Sequence, residues 1–158
     1  MEKKNLQNLK DGMKDAGIDF ENFLTIISKH KRLISRGNLG ELYCHWLFGV
    51  VLNEKVNEKG YDGRLNLNGE NHKVEIKCRQ TKLGNALSLE LNPKTFDILF
   101  YVVLKNDNSL LPKKIEFYRS EELKRWIKNK QGTVNEKNGK PRICFGKDLT
   151  IKKETVFE

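Results

Sequence analysis

Gly60-Tyr61-Asp62-Gly63 and Val74-Glu75-Ile76-Lys77-Cys78-Arg79-Gln80 lie on either side of Asn68-Gly69. Asn-Gly is a strong short-range hairpin signal because both residues tolerate positive φ. A turn there pairs the flanking residues with a constant index sum and sets Asp62 opposite Glu75. Residues two apart in a strand share a face, so Glu75 and Lys77 project together while Val74, Ile76 and Cys78 project the other way. Leu65 and Leu67 must share the apolar face with Val74 and Ile76, which the same register satisfies. A slip of one residue would bury the charges. The pattern therefore predicts a buried hairpin with two carboxylates, Asp62 and Glu75, and the Lys77 ammonium on one solvent-facing patch.

Packing does not account for such a cluster. Two close carboxylates repel unless a cation lies between them, and oxygen donors of this type suit Mg²⁺. A neighbouring lysine can hold a scissile phosphate or orient an attacking water. Metal-assisted phosphodiester hydrolysis needs a Lewis acid, an activated water and charge stabilisation at phosphorus.

In these residues the chain resembles the PD-(D/E)XK nuclease superfamily, the restriction-endonuclease-like and DNA-repair nucleases. Asp62 matches the first acid of the motif, Glu75 the second and Lys77 the lysine, with Tyr61 where the signature often has proline. Glu-x-Lys also occurs at Glu2/Lys4 and Glu122/Lys124, but only the copy at Glu75 alternates with apolar residues and has an Asp across a hairpin. The resemblance spans the segment from about Glu41 to Leu104. It implies a mixed sheet flanked by helices and a Mg²⁺-dependent endodeoxyribonuclease, with Mn²⁺ able to substitute. Asp62 and Glu75 would bind metal, the Ile76 carbonyl would be a third ligand, and Lys77 would serve the attacking water and the phosphorus. Many members carry an acid on the helix before the hairpin; Glu41, in Arg36-Gly37-Asn38-Leu39-Gly40-Glu41-Leu42, matches it, with a solvated surface glutamate as the alternative.

A chain of 158 residues makes one domain with room for a core. Its net charge of +9 and pI of about 9.4 point to a polyanionic partner such as DNA and say nothing of fold. No apolar run approaches the ~20 residues of a membrane span, and Met1-Glu2-Lys3-Lys4 lacks a signal-peptide core, so a cytoplasmic location with no membrane contact is expected. Cys44, Cys78 and Cys144 have no zinc spacing and read as reduced thiols, the first two in the core. His45, one helical turn after Glu41, either reaches the same site or is an ordinary half-buried histidine. No Ser/His/Asp triad, phosphate-cradling glycine loop or nucleotide-cofactor motif is present.

The rest of the chain predicts an α/β domain with a restriction-endonuclease-like core and an N-terminal helical segment. Residues 1–32 form that segment, 33–118 the catalytic core, and 119–158 a C-terminal helix, loop and strand. One helix runs from Glu2 to Ala16, a second follows the Asp19 cap, and a third runs from near Leu33 to about Val51. Gly37 and Gly40 weaken the third helix and call for a reason, such as close approach of another backbone or of DNA. The apolar run 97–104 reads as a strand covered on both faces, and Lys113–Tyr118 as another. Ser120 should cap a helix with Glu121 and Glu122 in its first turn. Residues 131–140 read as polar and mobile, and 142–145 as a last strand before a charged tail.

Lys73, Arg79, Gln80 and Lys82 share or flank the face of Glu75 and are the expected DNA contacts. Lys128, Lys130, Lys137, Lys140 and Arg142 form a second basic group. A DNA repair or Holliday-junction-resolving nuclease is the alternative enzyme, and a catalytically silent nucleic-acid-binding protein with the same fold is the alternative from another class. The intact acid-acid-lysine set argues against silence. A homodimer would present two sites to the two strands.

Overall fold

A computed structural model describes residues 1–54, 60–80, 87–129, 134–137, 140–145 and 151–158, with backbone alone at 87–90, 134–137 and 140–145. The fold is α/β. A mixed six-stranded sheet has the order β1 (Val51–Leu52), β2 (Gly63–Leu67), β3 (Glu70–Gln80), β5 (Ile98–Leu104), β6 (Pro112–Arg119), β9 (Glu154–Phe157). Only the central pair β3–β5 is parallel. A second, three-stranded antiparallel sheet has the order β4 (Leu87–Glu90), β8 (Lys140–Phe145), β7 (Val134–Lys137).

The hairpin forms as its sequence dictates. Asn68 and Gly69 take φ of 54° and 87°, and the ladder runs from Leu67↔Glu70 to Gly63↔Val74. In this register Leu65, Val74 and Ile76 are buried while Arg64 and Asn66 are exposed.

Strand β5 alternates between two apolar layers, which accounts for its unbroken run of apolar residues. Ile98, Phe100, Val102 and Leu104 join a core with Leu9 and Met13 of α1 (Leu6–Asp15), Ile27 of α2 (Phe20–His30) and Leu39, Tyr43 and Leu47 of α3 (Arg36–Phe48). On the opposite face Leu99 and Tyr101 pack with Tyr118 of β6, and with Leu123 and Trp126 of α4 (Ser120–Lys128). Helices thus flank the sheet on both faces. No helix among the described residues is long and apolar enough to cross a membrane.

Local chemistry sets the helix ends. The Asp19 carboxylate accepts the Asn22 N–H at 2.7 Å to start α2. The third helix starts at Arg36 rather than near Leu33, because Ser35 takes the cap position and accepts the Asn38 N–H; Leu33 is left 84% exposed. It ends at Gly49, with φ 72°. Ser120 does not cap α4. Arg119 holds that position without a side-chain bond, while buried Ser120 donates its N–H to the Asp97 carbonyl at 2.8 Å, pinning α4 to the start of β5.

Two expectations at the C-terminal end are corrected. Val134–Lys137, read as part of a mobile loop, is strand β7. The charged tail contains β9, which buries Val156 and Phe157 and adds an edge strand beside β6. The Lys4 N–H also donates to the Val156 carbonyl at 2.8 Å, so the two ends of the chain meet.

Candidate functional site

At Asp62 the ladder between β2 and β3 breaks. In a regular strand the N–H and C=O of one residue point to the same side. Asp62 instead donates its N–H to the Val74 carbonyl on β3 at 2.7 Å, while its own carbonyl accepts the Asn53 N–H beyond β1 at 3.0 Å. The strand turns away here, and among the described residues no strand pairs with this edge of β3 past Val74. The Asp62 carboxylate takes the position the backbone vacates: Oδ2 accepts the Ile76 N–H at 2.6 Å. One charge-assisted bond thereby ties the first acid to the amide directly after the second. The Ile76 carbonyl points to the same side as its N–H, into this notch.

Glu75 and Lys77 project from the opposite face of β3 to Ile76 and Cys78. Their side chains are ion-paired, with 14% and 31% exposure. The patch is therefore half-buried rather than fully solvent-facing. The reason is the parallel neighbour: Glu75 lies beside Leu99, Lys77 beside Tyr101 and Arg79 beside Val103, so the charged row runs along the rim of the second apolar core.

Glu41 approaches from α3. That helix lies close on β3 because Gly40 has no side chain; a Cβ there would sit 2.6 Å from the Cys78 Cβ. Close approach thus accounts for Gly40. Gly37 has only Ser35 Oγ, at 3.6 Å, near its Cβ position, and no such reason applies to it. Desolvation raises the Glu41 carboxyl above the ordinary carboxylate range; the negative charges of Asp62 and Glu75 raise it further, and Lys77 lowers it. The helix acid, the two hairpin acids and the lysine therefore share one electrostatic neighbourhood. His45 is exposed, and its Nδ1 lies 2.8 Å from the Val50 carbonyl, away from this group. Burial pushes the Cys78 thiol up to about 12, as expected of an inert core cysteine.

The other sequence-selected residues separate by face. Gln80 has the parity of Ile76 and Cys78: its side-chain oxygen accepts from Arg36 at the start of α3, and its amide donates to the Lys105 carbonyl. It clamps α3 to the end of β5. Arg79 and Lys73 have the parity of Glu75. Lys82 lies outside the described residues, as does Lys130; the side chains of Lys137, Lys140 and Arg142 also lie outside them.

The sequence reading named Lys73 but missed Arg64, which makes a cationic pair with it. Arg64 and Lys73 are direct cross-strand partners in the hairpin. Their charged ends lie 5.3 and 5.4 Å from the centroid of the Tyr61 ring, and the Arg64 guanidinium donates to the Tyr61 hydroxyl at 2.8 Å. Extending the hairpin register to Arg64 would have found the pair.

Asp62, Glu75 and the Ile76 carbonyl are hard oxygen donors at one strand end, suited to Mg²⁺ or Mn²⁺. The Glu41 carboxyl, raised first by burial and then by the charges of Asp62 and Glu75, adds a further oxygen donor to this neighbourhood. Among the described residues no group of three or more His, Cys, Asp or Glu side chains is arranged to hold a metal ion. An ion held by these oxygens would have to complete its shell with waters and substrate phosphates. The chain matches no protein-family model and no curated protein.

Proposed function

We propose that this protein is a metal-dependent endodeoxyribonuclease of the restriction-like kind, acting at the notch just before β2 begins. One observation carries the reading: the Asp62 carboxylate grips the Ile76 amide between Glu75 and Lys77, which pair with each other on the adjacent face. Asp62, Glu75 and the Ile76 carbonyl would hold Mg²⁺, with Glu41 assisting. The ion would supply Lewis-acid polarisation of the scissile phosphate and lower the pKa of a bound water.

The chain's own groups do the remaining work. Lys77 neutralises Glu75 in the resting site. On substrate binding its ammonium turns to the phosphate, where it stabilises the charge that builds on the phosphoryl oxygens. The apolar rim formed by Leu99 and Tyr101 limits water on one side of that ammonium, which strengthens its field. Asp62 has a second role through Ile76, fixing the backbone that carries both Glu75 and Lys77. The net charge of +9 draws the polyanionic substrate to the site.

Incubation with supercoiled plasmid, with Mg²⁺ and with EDTA, tests the proposal. Scission that requires the metal supports it, and no scission on any DNA rejects it. Discrete fragments mark a sequence-specific cutter, whereas cutting confined to branched DNA marks a junction-resolving one.

A further inference from the structure

The cationic group at Tyr61 has no role in the chemistry proposed above. Arg64 and Lys73 stand directly opposite each other on an antiparallel pair, an arrangement in which like charges repel. Both are exposed, and among the described residues neither forms a salt bridge. Yet both charged ends are drawn in over one half-buried ring, 5.3 and 5.4 Å from its centroid. The Tyr61 quadrupole and hydroxyl offset the repulsion in part. The Asp97 carboxylate beside them accepts the Lys73 backbone N–H at 2.8 Å and is ion-paired to neither side chain, so the two cations keep charge available for a further anion.

The ring itself packs on the second apolar core and is covered by the cations. It serves as a platform for the charges. Tyr61 immediately precedes Asp62, and Lys73 lies two residues before Glu75 on the same face. An anion bound there belongs to the same substrate as the notch.

We infer that Tyr61, Arg64 and Lys73 form a subsite for a backbone phosphate of nucleic acid, neighbouring the phosphate at the notch. This deepens the nuclease reading and rests on it. Arg64 supplies a planar fork suited to two phosphate oxygens, Lys73 a point charge, and Tyr61 holds both in place. The subsite fixes the register of the strand along β3 and carries no base specificity.

The test is equilibrium binding of a fluorescent duplex oligonucleotide in EDTA, over a series of salt concentrations, by anisotropy. For wild-type protein the slope of log K against log salt counts the phosphates neutralised. The double variant Arg64→Gln/Lys73→Gln should shallow that slope by about 1, the loss of one phosphate contact. Tyr61→Leu should shallow it in the same direction, since the cations lose their platform. A control with equal net charge, Lys3→Gln/Lys124→Gln, removes lysines whose partners are Glu158 and Glu121 and should keep the wild-type slope. Circular dichroism confirms folding in each case. Wild-type protein that binds no duplex at low salt overturns the nuclease reading and the subsite together. Binding with a slope unchanged in the double variant, or shallowed equally in the control, overturns the subsite alone.

Discussion

Two glycines on one helix should respond to the same substitution with opposite signs. At Gly37 an added Cβ meets nothing closer than Ser35 Oγ at 3.6 Å, an ordinary contact. Gly37→Ala should therefore stabilise the fold by about 0.5 kcal/mol, part of the ~1 kcal/mol helix preference of alanine, since the position lies in the first turn. At Gly40 the new Cβ falls 2.6 Å from the Cys78 Cβ, about 0.8 Å short of the 3.4 Å where ordinary contact begins. Cys78 Cβ is fixed to the backbone of β3, so the helix must lift. Overpacking against so fixed an atom falls in the upper part of the usual range, about 2–3 kcal/mol, which against a helical gain of about 1 kcal/mol leaves Gly40→Ala about 1–2 kcal/mol less stable. With a urea m-value of about 2 kcal/mol/M, the midpoint falls by about 0.5–1 M for Gly40→Ala and rises by about 0.25 M for Gly37→Ala. A double-mutant cycle locates the contact: Cys78→Gly removes the clashing atom and restores most of the loss, while Cys78→Ala relieves only the 3.2 Å Sγ contact. Lifting the helix also draws Glu41 away from Asp62 and Lys77, so cleavage should fall further than stability does. Equal stabilisation by the two glycine substitutions would refute the close-packing argument.

Glu41→Gln should stabilise the metal-free protein at neutral pH. Its folded carboxyl titrates above the unfolded value, so the folded state binds more protons and stability falls as pH rises through that window; a variant no more stable than wild type in urea melts at neutral pH counts against the shared acid neighbourhood. Glu116 is the opposite case. Burial raises its carboxyl, but hydrogen bonds from Lys114, Lys153 and Tyr118 outweigh it, and the folded value is depressed. Its contribution is present above the unfolded value of 4.5 and lost as pH falls through the folded one, so Glu116→Gln should flatten the acid limb of a stability–pH curve. Removing the charged partner altogether, as Glu116→Ala, should cost about 2–3 kcal/mol, read by thermal and urea denaturation. Lys77→Ala should eliminate cleavage while leaving DNA affinity within about 3-fold, because the ammonium acts mainly in the transition state; wild-type turnover would remove Lys77 from the mechanism.

Features held by neighbouring residues were legible in the sequence. Asn68-Gly69 sets the hairpin and its register, Asp19 starts α2, and the run through β5 follows from its cover on both faces. What escaped depends on distant partners. Strand β9 reads as charged tail because only the open edge of β6 gives Val156 and Phe157 a place to bury. Ser120 has the composition of a cap, but Asp97 claims its N–H. The site shows the same division. Periodicity alone puts Glu75 and Lys77 on one face, but their half-burial depends on the neighbouring Leu99 and Tyr101. That Asp62 serves as a surrogate backbone acceptor for Ile76 depends on where β2 turns away, which no local pattern records. Gln80, next to Arg79 in sequence, belongs to the other face, where Arg36 holds it.

The proposal that Asp62, Glu75 and Lys77 form one metal-dependent nucleolytic site is open to a direct test. Single-turnover nicking of supercoiled, linear and branched DNA by wild type and Asp62→Asn, in Mg²⁺ and in Mn²⁺ at saturating protein, tests it most directly. Wild type should cut, and only with metal present. Asp62→Asn should bind as tightly or more tightly, since one charge repelling phosphate is gone, and should not cut. Wild-type protein that saturates all three DNAs and cuts none in either metal would contradict the account.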